Sequence, residues 1–351
     1  MRKSVKCGNV IIGGGAPVSI QSMTNVDSHD EEALVKQIEA LTHEGCEIVR
    51  IAVPDWEAVD VFGRVKKRVD VPLVADIHFD YRLAIGAIEA GADKIRINPG
   101  NIGSKDRVEA VVKAAKQRNI PIRIGVNSGS LEKDIVEKNG GVTAEGLAES
   151  AIRNVELIES MGYDNLVVSL KSSDVMMNYF AHKLVAERTE HPIHIGITEA
   201  GTLKRGKVKS AIGIGALLLD GIGDTMRVSL TADPVEEVRY AKDILQAIGL
   251  RSQKVNLVSC PTCGRTKIAL EKLAEEVDRR LEEENVPDNL KIAVMGCVVN
   301  GPGEAREADF GVAGGVGKGV IFAKGEVIKT VSEDEIVDEL IKTIKGQVTS
   351  I

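Results

Sequence analysis

Eight short β-branched runs alternate with helical stretches through the first 250 residues, and that alternation limits the chain to few architectures. The runs fall at 18–23, 47–53, 73–77, 94–98, 122–127, 166–171, 193–198 and 225–230. Helical patterns lie between them, at 30–44, 56–68, 105–118, 144–160 and 234–248. Glycines punctuate the returns, as in Glu44-Gly45-Cys46, Ala90-Gly91-Ala92 and Met161-Gly162-Tyr163. Eight strands with helical crossovers over this length match a parallel (β/α)8 TIM barrel. An open doubly wound sheet is the alternative, since a strand count does not show closure.

Past residue 250 the pattern changes. A strand at 255–259 leads to a charged helix at 266–284, then a strand at 291–295. A glycine-rich stretch at 300–319 precedes a strand at 320–323 and a final helix at 332–345. This predicts a smaller α+β domain over 251–351, joined near 249–253 to a barrel over 1–250.

Composition narrows the function classes. The 351 residues are 43% hydrophobic but only 3% aromatic, so the core is aliphatic. A net charge of −7 and so few aromatics argue against a nucleic-acid binder, which needs cations for phosphates and rings for bases. No apolar stretch reaches the 18 or so residues of a membrane span, and the N-terminus has no signal-peptide apolar region. The expectation is a soluble cytoplasmic protein.

Five strands carry a cation where an aliphatic residue is expected: Arg50, Arg96, Arg123, Lys171 and Arg227. Side chains alternate faces along a strand, so Arg96 shares a face with Asn98, Arg123 with Asn127, and Arg227 with Ser229. In a barrel the C-terminal strand ends form one cleft. Cations gathered there repel one another unless an anion meets them, and a guanidinium fork suits phosphate oxygens. The pattern predicts a site for a diphosphate-sized ligand. The plainer alternative is that each Arg is buried in an ion pair. Lys171 alone would also fit a Schiff-base lysine. Acid–base candidates at the same ends are Asp76, His78 and Glu199, any of which can equally be a structural hydrogen-bonding group.

Five cysteines, an odd and low count, do not make a disulfide framework. Cys260-Pro261-Thr262-Cys263 and Cys297 lie on two strand-to-turn segments. A redox pair would leave Cys297 unexplained. A zinc knuckle wants a fourth Cys or His, and 251–351 has neither. Three cysteines and one other ligand suit an iron–sulfur cluster, with Glu304 the nearby carboxylate. Cys7 and Cys46 read as bystander thiols. Gly213-Ile214-Gly215 and Gly317-Lys318-Gly319 fail the dinucleotide and phosphate-loop patterns.

Several segments together resemble one family. They are Ser19-Ile20-Gln21-Ser22-Met23, Ile95-Arg96-Ile97-Asn98-Pro99-Gly100-Asn101, Arg123-Ile124-Gly125-Val126-Asn127, Ser169-Leu170-Lys171-Ser172, Gly196-Ile197-Thr198-Glu199-Ala200-Gly201, Cys260-Pro261-Thr262-Cys263-Gly264-Arg265 and Gly296-Cys297-Val298-Val299-Asn300-Gly301-Pro302-Gly303-Glu304. They span nearly the whole chain, which resembles the 4-hydroxy-3-methylbut-2-enyl diphosphate synthases, in the bacterial two-domain form. The resemblance implies a barrel that binds 2-C-methyl-D-erythritol 2,4-cyclodiphosphate. It implies a [4Fe-4S] cluster on Cys260, Cys263, Cys297 and Glu304, and a two-electron reductive ring opening with loss of water, late in the methylerythritol phosphate route to isoprenoids. Electrons would come from reduced flavodoxin or ferredoxin, in a head-to-tail homodimer whose barrels are capped by the partner's cluster domain. Arg50, Arg96, Arg123, Lys171, Arg227, Asn98, Asn127 and Ser229 would bind substrate. Glu199 would donate the proton that leaves with hydroxide, and Glu304, a harder ligand than thiolate, would yield its place on iron. The rival classes are a phosphate-binding aldolase or pterin-type synthase with a structural zinc, and a metal-sensing or RNA-binding module.

Overall fold

The computed structural model describes residues 2–253, 255–284, 286–297 and 306–348. The chain divides into two compact units, Met1–Arg251 and Ser252–Ile351. In the first, a short antiparallel hairpin pairs β1 (Ser4–Cys7) with β2 (Val10–Gly13). There follow β3 (Ser19–Met23), α1 (Glu31–His43), β4 (Ile48–Ala52), α2 (Trp56–Lys66), β5 (Leu73–Asp76), α3 (Tyr81–Glu89) and β6 (Lys94–Ile97). Next come α4 (Pro99–Ile102), α5 (Lys105–Arg118), β7 (Ile122–Asn127), α6 (Lys133–Lys138), α7 (Ala144–Glu159) and β8 (Leu166–Lys171). The unit ends with α8 (Val175–Ala186), β9 (Ile193–Ile195), α9 (Leu203–Leu219), β10 (Thr225–Met226) and α10 (Pro234–Ala247).

Strands β3 to β10 are parallel and close into a barrel, β10 pairing with both β9 and β3. Closure settles the choice left open by the strand count in favour of the TIM barrel. Local chemistry starts the helices: Asp30, Asp55, Asp80, Thr143, Asp174 and Asp233 each cap a first turn with a side-chain oxygen. Each helix then buries one stripe, as α1 does with Leu34, Val35, Ile38 and Leu41. The aliphatic core lies between strands and helices, where the outward residues Ile95, Ile97, Ile122, Ile124, Val168 and Leu170 sit. The opposite, inward face of the same strands is therefore free to be polar.

The N-terminal hairpin was not foreseen from the sequence. Its Cys7 and Ile12 pack on Ile48 and Val74 and close the N-terminal mouth of the barrel. β9 and β10 end earlier than the β-branched runs suggest. Arg227 N–H still donates to the Ile195 carbonyl at 3.0 Å, but by Leu230 the backbone is drawn elsewhere, its N–H going to the Glu237 carboxylate at 2.9 Å.

The second unit is a five-stranded sheet in the order β11 (Val255–Ser259), β12 (Leu290–Met295), β13 (Phe310–Gly315), β14 (Lys318–Ala323) and β15 (Glu326–Ser332). The first three are parallel and the last two antiparallel. Helices α11 (Leu270–Glu283) and α12 (Ile336–Val348) share a core with it, through Val277, Leu281, Leu340 and Ile344. β13 falls inside the stretch expected to be irregular. Its glycines serve close packing rather than turns, since a Cβ on Gly311 would lie 2.4 Å from both the Ala293 carbonyl and the Phe322 ring. Among the described residues no helix is long and apolar enough to cross a membrane.

Candidate functional site

Register carries the cations to one place. Parallel neighbours in register face the same side of a sheet, and three of the pairings are Met23 with Arg50, Asp76 with Arg96, and Arg96 with Arg123. Asn127 pairs with Lys171, and Gly125 with Ser169. These residues face into the barrel and, with Arg227, surround a cavity of about 280 Å³ at the C-terminal strand ends. Of the residues expected to bind an anion, Arg50, Arg96, Arg123, Asn127, Lys171, Arg227 and Ser229 all line it. Met23, Ser169 and Thr198 line it too and were not singled out from the sequence.

Asp76 is the one carboxylate among the described lining residues. It accepts from Arg96 Nη1 at 3.3 Å, lies 3.9 Å from Arg50 Nε and 3.3 Å from His78 Nε2. Burial by itself would raise its carboxyl, but Arg50, His78 and Arg96 together hold it well below the ordinary carboxylate range. Arg227 is gripped from behind by Glu237 of α10, through contacts of 3.1–3.3 Å. Arg50 donates to the Met23 sulfur at 2.9 Å.

Among the described residues Arg123 and Lys171 have no such counter-ion. Arg123 is buried, and its Nε and Nη1 find no hydrogen-bond partner among the described residues. Burial, then Arg50 and Arg96, push its pKa far down; burial, then Arg227 and Arg123, do the same to Lys171. Burial lowers Arg50 to about 10. Two glycines make room for this crowding. A Cβ on Gly125 would stand 2.3 Å from Arg96 Nε, and one on Gly196 would stand 2.9 Å from Lys171 Nζ. A buried cation without a partner costs several kcal/mol, and an anion in this cavity would offset that cost.

Two expected residues are placed differently. The strand stops at Ile97, so Asn98 leaves the sheet; its Oδ1 caps α4 by accepting from the Gly100 N–H at 3.1 Å, and it is not among the lining residues. Glu199 is exposed just past Thr198, with φ of 50°. The left-handed region costs a non-glycine residue about 1–2 kcal/mol, and such strain gathers at functional loops.

In the second unit, Cys260 and Cys297 follow the C-terminal ends of the adjacent parallel strands β11 and β12. The Gly296 N–H donates to Cys260 Sγ at 3.2 Å. Cys263 is exposed, and the Arg265 backbone N–H, then its guanidinium, hold the thiol below its ordinary value. Among the described residues no three His, Cys, Asp or Glu side chains stand close enough to hold a metal ion, and Glu304 lies outside the described residues. The donor chemistry still suits iron–sulfur ligation: three thiols at one sheet end, an N–H on sulfur, and a guanidinium beside it. Cys7 and Cys46 are buried elsewhere, and burial pushes Cys46 up to about 12.

Residues 2–242 match the family model described as the GcpE TIM-barrel domain, and 256–346 the GcpE protein C-terminal domain. The chain belongs to the GcpE family. Family members named 4-hydroxy-3-methylbut-2-en-1-yl diphosphate synthase (flavodoxin) are similar to it end to end. That of Caldanaerobacter subterraneus subsp. tengcongensis is 57% identical, over 99% of this chain and 98% of its own. That of Clostridium acetobutylicum is 55% identical over 97% of both chains, and that of Geobacter sulfurreducens 54% over 98% of this chain and 97% of its own. Among solved structures, dihydropteroate synthase from Stenotrophomonas maltophilia aligns with a TM-score of 0.52 at 16% identity, over 70% of this chain and 97% of that one. At that identity the likeness concerns the barrel fold alone.

Proposed function

We propose that this GcpE-family enzyme binds 2-C-methyl-D-erythritol 2,4-cyclodiphosphate in the barrel cavity. It opens the ring reductively to 4-hydroxy-3-methylbut-2-enyl diphosphate, with loss of water. The observation that carries the reading is the cation ring, with buried Arg123 and Lys171 lacking counter-ions among the described residues. A cyclic diphosphate supplies the missing negative charge. Arg50 and Arg96, fixed by Asp76, and Arg227, fixed by Glu237, present preset donors, so little ordering remains at binding. Asn127 and Ser229 add neutral hydrogen bonds along the cavity wall.

Cys260, Cys263 and Cys297, with Glu304, would hold a [4Fe-4S] cluster, which would relay one at a time the two electrons that side chains lack. Flavodoxin is the donor this reading favours, since the relatives carry that word in their names. Glu199 holds the proton that departs with hydroxide. Its support is its position on the loop after β9 and its strained backbone. The reading includes a cytoplasmic, head-to-tail homodimer. Support for self-association comes from exposed Met176 and Phe180 on α8 and Val208 and Ile212 on neighbouring α9.

Anaerobic purification with iron and sulfide assay tests the cofactor: both are expected, and zinc without iron overturns the reading. Glu199→Gln tests the proton donor. Turnover should fall at least tenfold, with iron content and pyrophosphate affinity near normal. Unchanged turnover removes that role.

A further inference from the structure

The core of a TIM barrel is ordinarily filled by layers of Val, Ile and Leu. Here the inward positions beneath the cation ring are polar. Ser19, His194 and Thr225 are in mutual register, and His194 also pairs with the cavity-lining Ser169. Gln21 shares its face with Met23 two residues on, Lys94 pairs with inward Val74, and Arg123 pairs with Arg96. None of Ser19, Gln21, Lys94, Arg123, His194 and Thr225 is more than 1% exposed.

These six residues hold nine buried side-chain nitrogen and oxygen atoms with no hydrogen-bond partner among the described residues. An unmet buried polar group costs about 1–3 kcal/mol, and a domain's whole stability is about 5–15 kcal/mol. Nine unmet groups would consume it. The floor is shut by Cys7, Ile12, Ile48 and Val74, so bulk solvent does not enter from below. We propose that the barrel interior beneath the cation ring is a closed chamber of ordered water, organised by His194, that keeps Arg123 and Lys171 charged.

Water fits the donor set better than an anion does. The chamber mixes donors, Lys94 Nζ, Arg123 Nε and Gln21 Nε2, with the acceptor Gln21 Oε1 and with the Ser19 and Thr225 hydroxyls, which do either. An anion would satisfy the donors and oppose Gln21 Oε1. A buried water typically makes about three bonds of both kinds. Burial, then Arg123, Lys171, Lys94 and Arg50, hold the His194 pKa far down. Its neutral ring therefore offers one donor and one acceptor without adding charge. Lys171 faces the cations Arg227, Arg123, Arg50 and Arg96. Asp76 and Glu237 already serve other arginines. Hydration from below adds to whatever the cavity itself supplies in offsetting its burial.

The chamber's hydration does not depend on which anion the cavity takes, whereas the support of Lys171 rests on its taking one. A high-resolution crystal structure of the full chain tests the first. Ordered waters each bonded to two or more of the six residues are expected; side chains collapsed on one another without water overturn it. Inorganic pyrophosphate binding, measured by calorimetry from pH 6 to 9, tests the second. Binding weakens as pH rises through the Lys171 pKa, because its charge is lost. His194→Leu should move that fall to lower pH, weakening affinity about tenfold where the unaltered protein still binds, and His194→Asn should restore it. Thr225→Val, which removes one hydroxyl at constant shape, should shift the fall less, in the same direction. Profiles that coincide with the unaltered protein overturn the support of charge. A protein that binds no pyrophosphate at any pH contradicts the anion site instead, and leaves the water test standing.

Discussion

Arg96 and Asp76 face each other in register on adjacent barrel strands, with Nη1 donating to Oδ1 at 3.3 Å. The same carboxylate restrains Arg50, so two of the five cations are aimed by one acid.

Asp76→Asn should therefore act on the whole ring. Removing one partner of a buried ion pair typically costs about 3–5 kcal/mol, because the other charge stays behind. Its carboxyl is held below the ordinary range, so the stabilisation is present above about pH 4 and is lost as pH falls through the lowered value. Denaturant unfolding at pH 7 should show the loss, and millimolar pyrophosphate should recover part of it. An unchanged midpoint would mean that the arginines do not depend on this acid.

Gly125→Ala should weaken anion binding with little loss of fold. The new methyl would stand 2.3 Å from Arg96 Nε and 2.9 Å from its Cζ, so the guanidinium must leave its place. Pyrophosphate affinity by calorimetry should fall about tenfold, equal to about 1.4 kcal/mol.

The cations were legible in the sequence because five strands carry one, and parity sets Arg96 beside Asn98, Arg123 beside Asn127 and Arg227 beside Ser229 on the same face of each strand. Asn98 misled for a local reason: the strand gives way at Pro99, and an Asn before a Pro makes a good cap. Ser169 and Thr198 were passed over because a small polar residue in an aliphatic run carries no signal of its own. The hairpin that seals the barrel hides for a similar reason, as four-residue strands are too short to show a period. Parity arguments followed charges and so missed Gln21 and Thr225, which turn out to face the same interior.

Lys94 carries a penalty where Asp76 stabilises, and stability rises with pH through both groups. Burial lowers Lys94 from 10.5 to about 8. The folded state therefore binds its proton less well than the unfolded chain, and the penalty is complete below pH 8 and relieved between about pH 8 and 10.5. Lys94→Met should stabilise the protein by about 3 kcal/mol at pH 7, with the gain shrinking toward pH 10. Urea midpoints across that range check it; a constant difference would contradict the lowered lysine.

In metal-free protein the cysteines should alkylate in a fixed order. Cys263 is exposed and its thiol is held low by Arg265, so iodoacetamide should modify it first. Cys7 and Cys46 are buried and raised, and should stay unmodified until the barrel unfolds. Timed peptide mass spectrometry reads this directly.

The central claim joins the cationic cavity to the cysteine edge in one reaction. It is tested most directly by incubating anaerobically purified protein with 2-C-methyl-D-erythritol 2,4-cyclodiphosphate and reduced flavodoxin. The account predicts one molecule of 4-hydroxy-3-methylbut-2-enyl diphosphate for each pair of electrons consumed, with formation abolished by Arg123→Met and by Cys263→Ala. Iron-loaded protein that binds the cyclic diphosphate and leaves it unreduced would contradict it.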